Sequence, residues 1–465
     1  MTRPALLEST SSVTDAVGGT LYGSGDSPIT AITIDSRECG EGSLFVALPG
    51  ERTDGHAFVA DALRAGAAMA IVRSSYVTRN RGSLDSLLAE TGGALCVVRD
   101  PLSALQQFSR ERLRSFADLT RIAVTGSNGK TTTKELIASV LSRKAPTFKT
   151  RGNYNSEIGV PLSIFEVSET HTFGVFECAM NHVGEMEVLA DIVRPELAVI
   201  TNIGTAHIGL VGSQEGIARE KRRIFSRFDG TQTAVIYEDD AFRALLEEDL
   251  DGTVLLFGPE TTPGFEGARS LGIEGMLLRW RGRDIRLPLP GRHNVLNALA
   301  AIRVALHFGC TDEEIQLGLE NARAEFGRGE VYRGAVTVIQ DSYNANAESM
   351  REAIRLLAET PHEGGRRILV LGAMYELGRY AAEHHRRVAE EAAASAADLI
   401  ILFGPEFAAA AEEVGDSRRI RYADGFEGLV RLVADSVQAG DLVLLKGSRG
   451  TRLERLLPLL TEGRA

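Results

Sequence analysis

Cysteine is scarce and scattered, with four in 465 residues: Cys39, Cys96, Cys178 and Cys310. No two form a C-x-x-C pair, which argues against zinc and dithiol redox motifs. A disulfide framework is not expected either, in keeping with a reducing compartment. No apolar run approaches the roughly 18 residues that a membrane-spanning helix needs. Residues Met1–Gly19 lack the basic segment and apolar core of a secretory leader, so the expectation is a cytoplasmic protein. Proline is low, at 14 against 48 glycines, which suggests many tight turns rather than disorder or collagen. Positive charge is also in deficit, with 51 Lys and Arg against 63 Asp and Glu, a net −12. That balance disfavours a general nucleic-acid or anionic-membrane binder but leaves room for a local phosphate pocket. Internal repeats and low-complexity tracts are absent.

What is present is ordinary globular composition, 44% hydrophobic and 25% charged, at a length expected to form about three domains. The apolar runs alternate with helical stretches, the pattern of βαβ units and a mostly parallel sheet. In the C-terminal third, strands are expected at 335–341, 367–373, 398–403, 419–422 and 441–446. Helices are expected at 347–359, 381–397, 406–414, 426–437 and 451–460. The middle reads as strand 121–124, helix 131–143, buried strands 172–177 and 196–201, then helices 293–308 and 311–322. Residues 265–289 alternate like antiparallel β structure. In the N-terminal part, strands are expected at 29–35, 44–48 and 68–72 and a helix at 58–65, while the polar stretch 73–93 reads as an exposed insertion. The expected domains are 1–112, small and α/β; 113–330, a central P-loop ATPase-like parallel sheet; and 331–465, Rossmann-like.

The strongest motif is T-G-S-N-G-K-T-T-T over 125–133, between a strand and a helix. Glycines let backbone N–H groups converge on phosphate oxygens, and the following helix N-terminus favours negative charge. Gly126, Ser127, Asn128, Gly129, Lys130, Thr131 and Thr132 are therefore the candidate ATP phosphate cradle. Lys130 is expected to reach the terminal phosphates and Thr131 to ligate Mg²⁺. The loop departs from a strict G-x-x-x-x-G-K-[ST], because Val124 stands five before Gly129.

Other polar constellations follow strand ends, where α/β sheets bind ligands. The stretch 151–161 is rich in asparagine, with Asn153 and Asn155 offering donors and acceptors. Glu177 ends an apolar run, His207 sits in T-N-I-G-T-A-H, and Lys221 lies in a charged A-R-E-K-R-R-I-F segment. Asn294 and Asn297 share one helix face. Arg328 precedes the last third, and D-S-Y-N-A-N-A-E-S-M spans 341–350. Singly, each is also what a loop, a cap or a solvated face looks like.

Taken in order, these motifs closely resemble the Mur ligase and folylpolyglutamate synthase group of three-domain, ATP-dependent amide ligases. The resemblance covers essentially the whole chain. It implies ATP and Mg²⁺ as cofactors, with Thr131, Glu177, His207 and a carbamylated Lys221 as metal ligands. It makes Lys130, Lys221, His207 and Arg328 the catalytic set. Asn294, Asn297, Arg328 and Asp341 become ATP contacts, the two asparagines beside adenine. Asn153 and Asn155, with Ser36 and Arg37 of an N-terminal D-S-R, become contacts for a uridine-nucleotide substrate. The A-L-P-G-E-R-T-D-G-H stretch at 47–56 is similar to the same uridine-binding domain. Arg223 stands where the family usually has Glu after the lysine.

Within the family, D-S-Y-N-A-N-x-x-S-M, G-x-M-x-E-L-G at 372–378 and K-G-S-R at 446–449 resemble the branch that adds D-alanyl-D-alanine to UDP-N-acetylmuramoyl-tripeptide. Tyr343, Asn344, Asn346, Lys446, Ser448 and Arg449 are then the dipeptide candidates. Ala373 replaces a common Asp, and the D-N-P-R of diamino-acid-adding siblings is absent. The implied protein is a monomer with no nucleic-acid partner and no membrane span. The alternatives are a sibling ligase or a P-loop ATPase switch.

Overall fold

The computed structural model describes residues 8–23, 26–50, 53–362, 364–415 and 419–461. Three sheets, one in each third of the chain, organise it. The central sheet is wholly parallel, in the order Thr253–Phe257, Thr233–Tyr237, Leu197–Ile200, Thr120–Thr125, Phe173–Glu177, Thr147–Lys149. Both faces are covered, which is why its strands read as continuous apolar runs. Ile122, Val124, Val175, Val199 and Val235 face one cluster, and Ala123, Phe176, Ile200 and Ile236 face the other. Each fully buried Val or Ile contributes roughly 1.5–3 kcal/mol.

The helix Lys130–Lys144 packs on this sheet through Leu136, Ile137, Val140 and Leu141. Helix Asp312–Glu320 approaches it so closely that a Cβ on Gly318 would lie 2.5 Å from the Val140 Cα. Three antiparallel strands, Phe265–Ser270, Met276–Trp280 and Arg283–Leu287, form the sheet expected at 265–289.

The C-terminal sheet runs Glu330–Arg333, Thr337–Asp341, Leu442–Lys446, Arg367–Gly372, Leu399–Phe403, Ile420–Ala423. All neighbours are parallel except the first pair. The N-terminal sheet is Thr20–Gly23, Ala94–Val98, Ala67–Arg73, Ser43–Val46, Ala31–Thr33, with only the first pair antiparallel. The chain is thus a three-unit α/β protein. Glu51 and Arg52 of the 47–56 motif lie outside the described residues.

The reading of 73–93 as an exposed insertion is corrected: Ser74–Thr91 is an eighteen-residue helix. Leu84, Leu87 and Leu88 repeat at helical spacing and are buried against the N-terminal sheet, and that stripe outweighs the polar composition around it. Gly92, at φ +68°, ends it in the left-handed conformation that Gly adopts without strain. The stretch 100–118, around the expected boundary between the first two domains, contains the helix Pro101–Arg114, capped by the Asp100 carboxylate. Leu105 and Phe108 pack into the N-terminal core, and Phe108 meets Phe165 of the central unit with ring centroids 4.8 Å apart. Arg110 pairs with Asp191 at 2.7 Å. The first and second units are therefore joined by a packed helix.

Candidate active site

The strand Thr120–Thr125 delivers the phosphate loop at its C-terminal end, and helix Lys130–Lys144 starts at once. Gly126 (φ +145°) has no room for a side chain, since a Cβ would lie 1.9 Å from Thr201 Oγ1. Gly129 (φ +80°) is likewise closed off by Asn297 Oδ1 at 2.3 Å. The loop is braced by the next strand end. Ser127 N donates to Asn202 O at 2.8 Å and Asn128 N to Asn202 Oδ1 at 3.0 Å. Thr201 Oγ1 and Asn202 Nδ2 both donate to Asn128 O. Asn202 was not singled out from sequence, although it stands beside Thr201 in the quoted T-N-I-G.

Lys130 Nζ is held back over its own loop, donating to Gly126 O at 2.8 Å and Ser127 O at 3.1 Å. Desolvation in the cleft, aided by the Arg328 cation, pushes its pKa down to about 8, with Glu177 opposing. Thr131 Oγ1 is buried without a hydrogen-bond partner. Glu177 is fully buried; Asn155 Nδ2 donates to its Oε1 at 2.7 Å, while its Oε2 has no hydrogen-bond partner. Beneath it lies Lys134, also fully buried, its Nζ 3.8 Å from Glu177 Oε2 and 3.0 Å from Glu135 Oε1. Lys134 donates to Thr150 O at 2.8 Å. Lys134 is one helical turn past Lys130, a spacing that could have flagged it.

Asn294 and Asn297 line the cleft, but their amides brace it. Asn297 accepts from Thr133 Oγ1 at 3.2 Å and donates to Asn294 Oδ1 at 3.0 Å, and Asn294 donates to Pro290 O. The apolar wall beside them, Tyr237, Phe257, Phe265, Met276 and Leu296, carries no sequence motif.

The third unit closes the cleft. Asp341 and Lys446 are in register on neighbouring strands and pair at 2.9 Å, with Lys446 also donating to Asn344 O. Asn346 caps helix Ala347–Glu359 and donates to Asn128 Oδ1 at 2.8 Å, so the dipeptide candidate touches the phosphate loop. Arg328 stacks over Tyr343, 4.1 Å from the ring centroid. The resulting cleft holds about 950 Å³. Of the expected residues it brings together Ser127, Asn128, Gly129, Lys130, Thr132, Asn155, Glu177, His207, Asn294, Asn297, Arg328, Asp341, Tyr343, Asn344, Asn346 and Lys446.

Other candidates do not line it. Gly126 and Thr131 lie just behind the loop surface, and Asn153 is exposed. Ser36 and Arg37 are on a short helix of the N-terminal unit, where Arg37 pairs with Asp35 and holds that carboxyl down at about 2. Ser448 accepts from Tyr375 N at 2.9 Å. Arg449 lies 3.4 Å from Glu454 and 5.3 Å from the Phe326 ring centroid. Ala373 is fully buried, its carbonyl accepting from Ser448 N.

Lys221 is buried in helix Gln214–Arg222, with no hydrogen bond or ion pair to its Nζ among the described residues. Burial first and the Lys130 charge second push its pKa well below the ordinary lysine value. Arg223, the departure from the family pattern, pairs with Glu187 at 2.7 Å and Glu220 at 3.2 Å. His207 (φ +64°) presents Nδ1 2.6 Å from Glu376 Oε2. That contact holds the Glu376 carboxyl below the usual carboxylate range. Among the described residues no group of three His, Cys, Asp or Glu side chains stands ready to hold a metal, and no helix is long and apolar enough to cross a membrane.

A phosphate loop facing a cleft closed by a third α/β unit, with unsatisfied oxygens beside the loop, is the arrangement of a nucleotide-dependent enzyme. Three family models match consecutive stretches: the Mur ligase family catalytic domain at 28–112, the Mur ligase middle domain at 124–305, and the Mur ligase glutamate ligase domain at 327–449. The chain belongs to the Mur ligase family. It is 40% identical over 443 residues to the UDP-N-acetylmuramoyl-tripeptide–D-alanyl-D-alanine ligase of Treponema pallidum, covering 93% of this chain and 94% of that one. The Escherichia coli enzyme of the same name is 34% identical, with 97% and 98% covered. MurF from Acinetobacter baumannii superposes with a TM-score of 0.87 at 34% identity over 99% of this chain and 100% of that one. MurF from Thermotoga maritima, solved with ADP, gives 0.78 at 30% identity, over 92% and 96%.

Proposed function

We propose that this ATP-dependent ligase joins D-alanyl-D-alanine to UDP-N-acetylmuramoyl-tripeptide, in cytoplasmic peptidoglycan precursor synthesis. The observation that carries the reading is the direct meeting of the phosphate loop with the S-Y-N-A-N segment, through Asn128 and Asn346. It brings the phosphate cradle and the candidate amine site into one cleft. Near-complete coverage by relatives of that name supports it.

A carboxylate does not acylate an amine at neutral pH, so it must first be phosphorylated. Lys130 swings from its loop carbonyls to the terminal phosphates, and Arg328, held over the Tyr343 ring, meets the charge on the moving phosphoryl group. A carboxylate oxygen of the tripeptide attacks the γ-phosphorus of ATP, the bond to the bridging oxygen breaks, and an acyl phosphate and ADP result. The free amine of the dipeptide attacks its carbonyl carbon, and phosphate leaves. Lys446 is assigned to the incoming dipeptide and Asp341, its ion-pair partner at 2.9 Å, to ATP. Closure around the reactants aligns them and excludes water.

Mg²⁺ fits this site, because two buried oxygens beside the loop, Thr131 Oγ1 and Glu177 Oε2, lack hydrogen-bond partners, the latter having only the Lys134 ammonium at 3.8 Å. Bound there, it would neutralise phosphate charge. His207 and a carbamylated Lys221 complete the proposed ligand set. The depressed Lys221 pKa supports carbamylation, since only a neutral amine adds CO₂. We assign 1–112, with Ser36 and Arg37, to the uridine nucleotide, with Asn153 and Asn155 completing its contacts. Residues 113–330 are assigned to ATP, and 331–465, with Ser448 and Arg449, to the dipeptide. The unit of function is taken to be a monomer.

The test supplies ATP, Mg²⁺, the UDP-tripeptide and candidate amines, and follows phosphate release together with product mass. Strict dependence on D-alanyl-D-alanine is expected. Acceptor-independent hydrolysis, or preference for a diamino acid, would overturn the assignment.

A further inference from the structure

Two loops with unusual backbones meet across the boundary of the second and third units. His207 and Glu376 both adopt φ +64°, a conformation costly for residues with a Cβ. The first loop is followed by Gly209, whose N donates to Glu376 O at 3.0 Å. A Cβ on Gly209 would lie 2.5 Å from both Glu376 O and Gly378 N, so the loops are in backbone contact. Tyr380 Oη adds a hydrogen bond to Gly212 O at 3.1 Å. The Glu376 loop is fixed from its own side. Met374 N donates to Nε2 of the fully buried His385 at 3.0 Å, and His385 Nδ1 reaches Ala381 O at 2.7 Å. That pairing sets the imidazole tautomer, with the Nδ1 proton given to Ala381.

Strain of this kind persists only where the surroundings over-determine it. Here each unit supplies part of the surroundings, so the contact between His207 and Glu376 is made only when the two are docked.

We propose that Glu376 is a positioning residue for His207, delivered by docking of the third unit, so that the His207 imidazole is oriented only in the closed enzyme. The inference rests on the reading above that His207 serves the ligase reaction. It requires the carboxylate to act on the ring and the loop contact at Gly209 to act on closure. Two further cross-unit hydrogen bonds, Asn346 to Asn128 in the phosphate loop and Thr205 to Glu348 at 2.8 Å on the His207 loop itself, do not involve the imidazole.

The test compares Glu376→Ala, Glu376→Gln, Gly209→Ala and His207→Ala in the full-length enzyme. Expected for Glu376→Ala is a fall in kcat of about tenfold or more, roughly one factor of ten per 1.4 kcal/mol of lost orientation, with the KM for ATP and UDP-tripeptide little changed. Glu376→Gln keeps the side chain's length and an oxygen beside the ring and should recover most of kcat. Gly209→Ala should blunt the ligand-induced compaction measured by small-angle scattering with a non-hydrolysable ATP analogue and UDP-tripeptide. Wild-type kcat in Glu376→Ala alongside an inactive His207→Ala would overturn the positioning role alone. Full turnover in His207→Ala would instead overturn the reading beneath it. Equal loss in the Gln and Ala variants, with a lowered melting temperature, would reduce Glu376 to a structural contact and also refute the proposal.

Discussion

Lys134→Met is the perturbation whose magnitude follows most directly from the structure. Lys134 and Glu177 are both fully buried, the ammonium 3.8 Å from one carboxylate oxygen. That oxygen has no hydrogen-bond partner of its own, so the lysine charge is what compensates it. The second partner, Glu135, retains Lys149 when Lys134 is removed. Glu177 retains the Asn155 amide on its other oxygen and the Lys130 charge at the cleft, neither of which bonds to Oε2. Methionine fills the space of the stem but leaves a buried carboxylate and the Thr150 carbonyl without their donor. Breaking a buried pair from one side costs about 3–5 kcal/mol. At about 2–4 °C per kcal/mol for a unit of 150–250 residues, the central unit should melt on the order of 10 °C lower. Calorimetry on the full chain, following the transition that shifts with ADP, reads this. Adding Glu177→Gln to Lys134→Met removes the orphaned charge, so the double variant should be less destabilised than the sum of the singles by about 1–3 kcal/mol. A loss below about 1 kcal/mol in Lys134→Met, or strict additivity in the double, would refute the view that the lysine compensates the buried Glu177 side chain.

Three further outcomes are expected. ADP affinity of the free enzyme should hold below pH 8 and weaken as pH rises through about 8, where Lys130 loses its proton; the slope can reach about tenfold per pH unit while the bound form stays protonated. Calorimetric titrations on wild type and Lys130→Arg, whose guanidinium stays charged, should show the slope only in wild type. Lys221→Ala should abolish turnover, and short carboxylic acids should partly restore it in a phosphate-release assay; full activity without rescue would refute the carbamate. Arg449→Ala should raise the KM for D-alanyl-D-alanine several-fold with the KM for ATP unchanged, and an unaffected dipeptide KM would remove Arg449 from that site.

The elements legible in the sequence were those whose local signals agreed with their tertiary setting. Helix Ala347–Glu359 is bounded as expected because Asn346 and Ser349 form its cap and its apolar stripe is regular. The parallel strands were visible because burial on both faces leaves uninterrupted apolar runs. The helix Ser74–Thr91 was hidden because only three leucines near its end carry the stripe. At the site, the phosphate loop and its glycines were readable since their chemistry is local. The bracing of that loop was not, because Asn202 and Asn346 act on it across 74 and 218 residues of sequence. The same distance separates a motif from its use. Asn294 and Asn297 read as ligand-facing amides; both line the cleft, and their amides also hold Pro290 and Thr133 there. Nothing in the order of residues distinguishes an amide that recognises a ligand from one that fixes the loop beside it; the distinction arises only when the fold decides which partner is nearer. Glu376 makes the converse point. It belongs to a motif read from its own segment, and its contact with His207 becomes visible only when two units, each carrying one strained turn, are brought together.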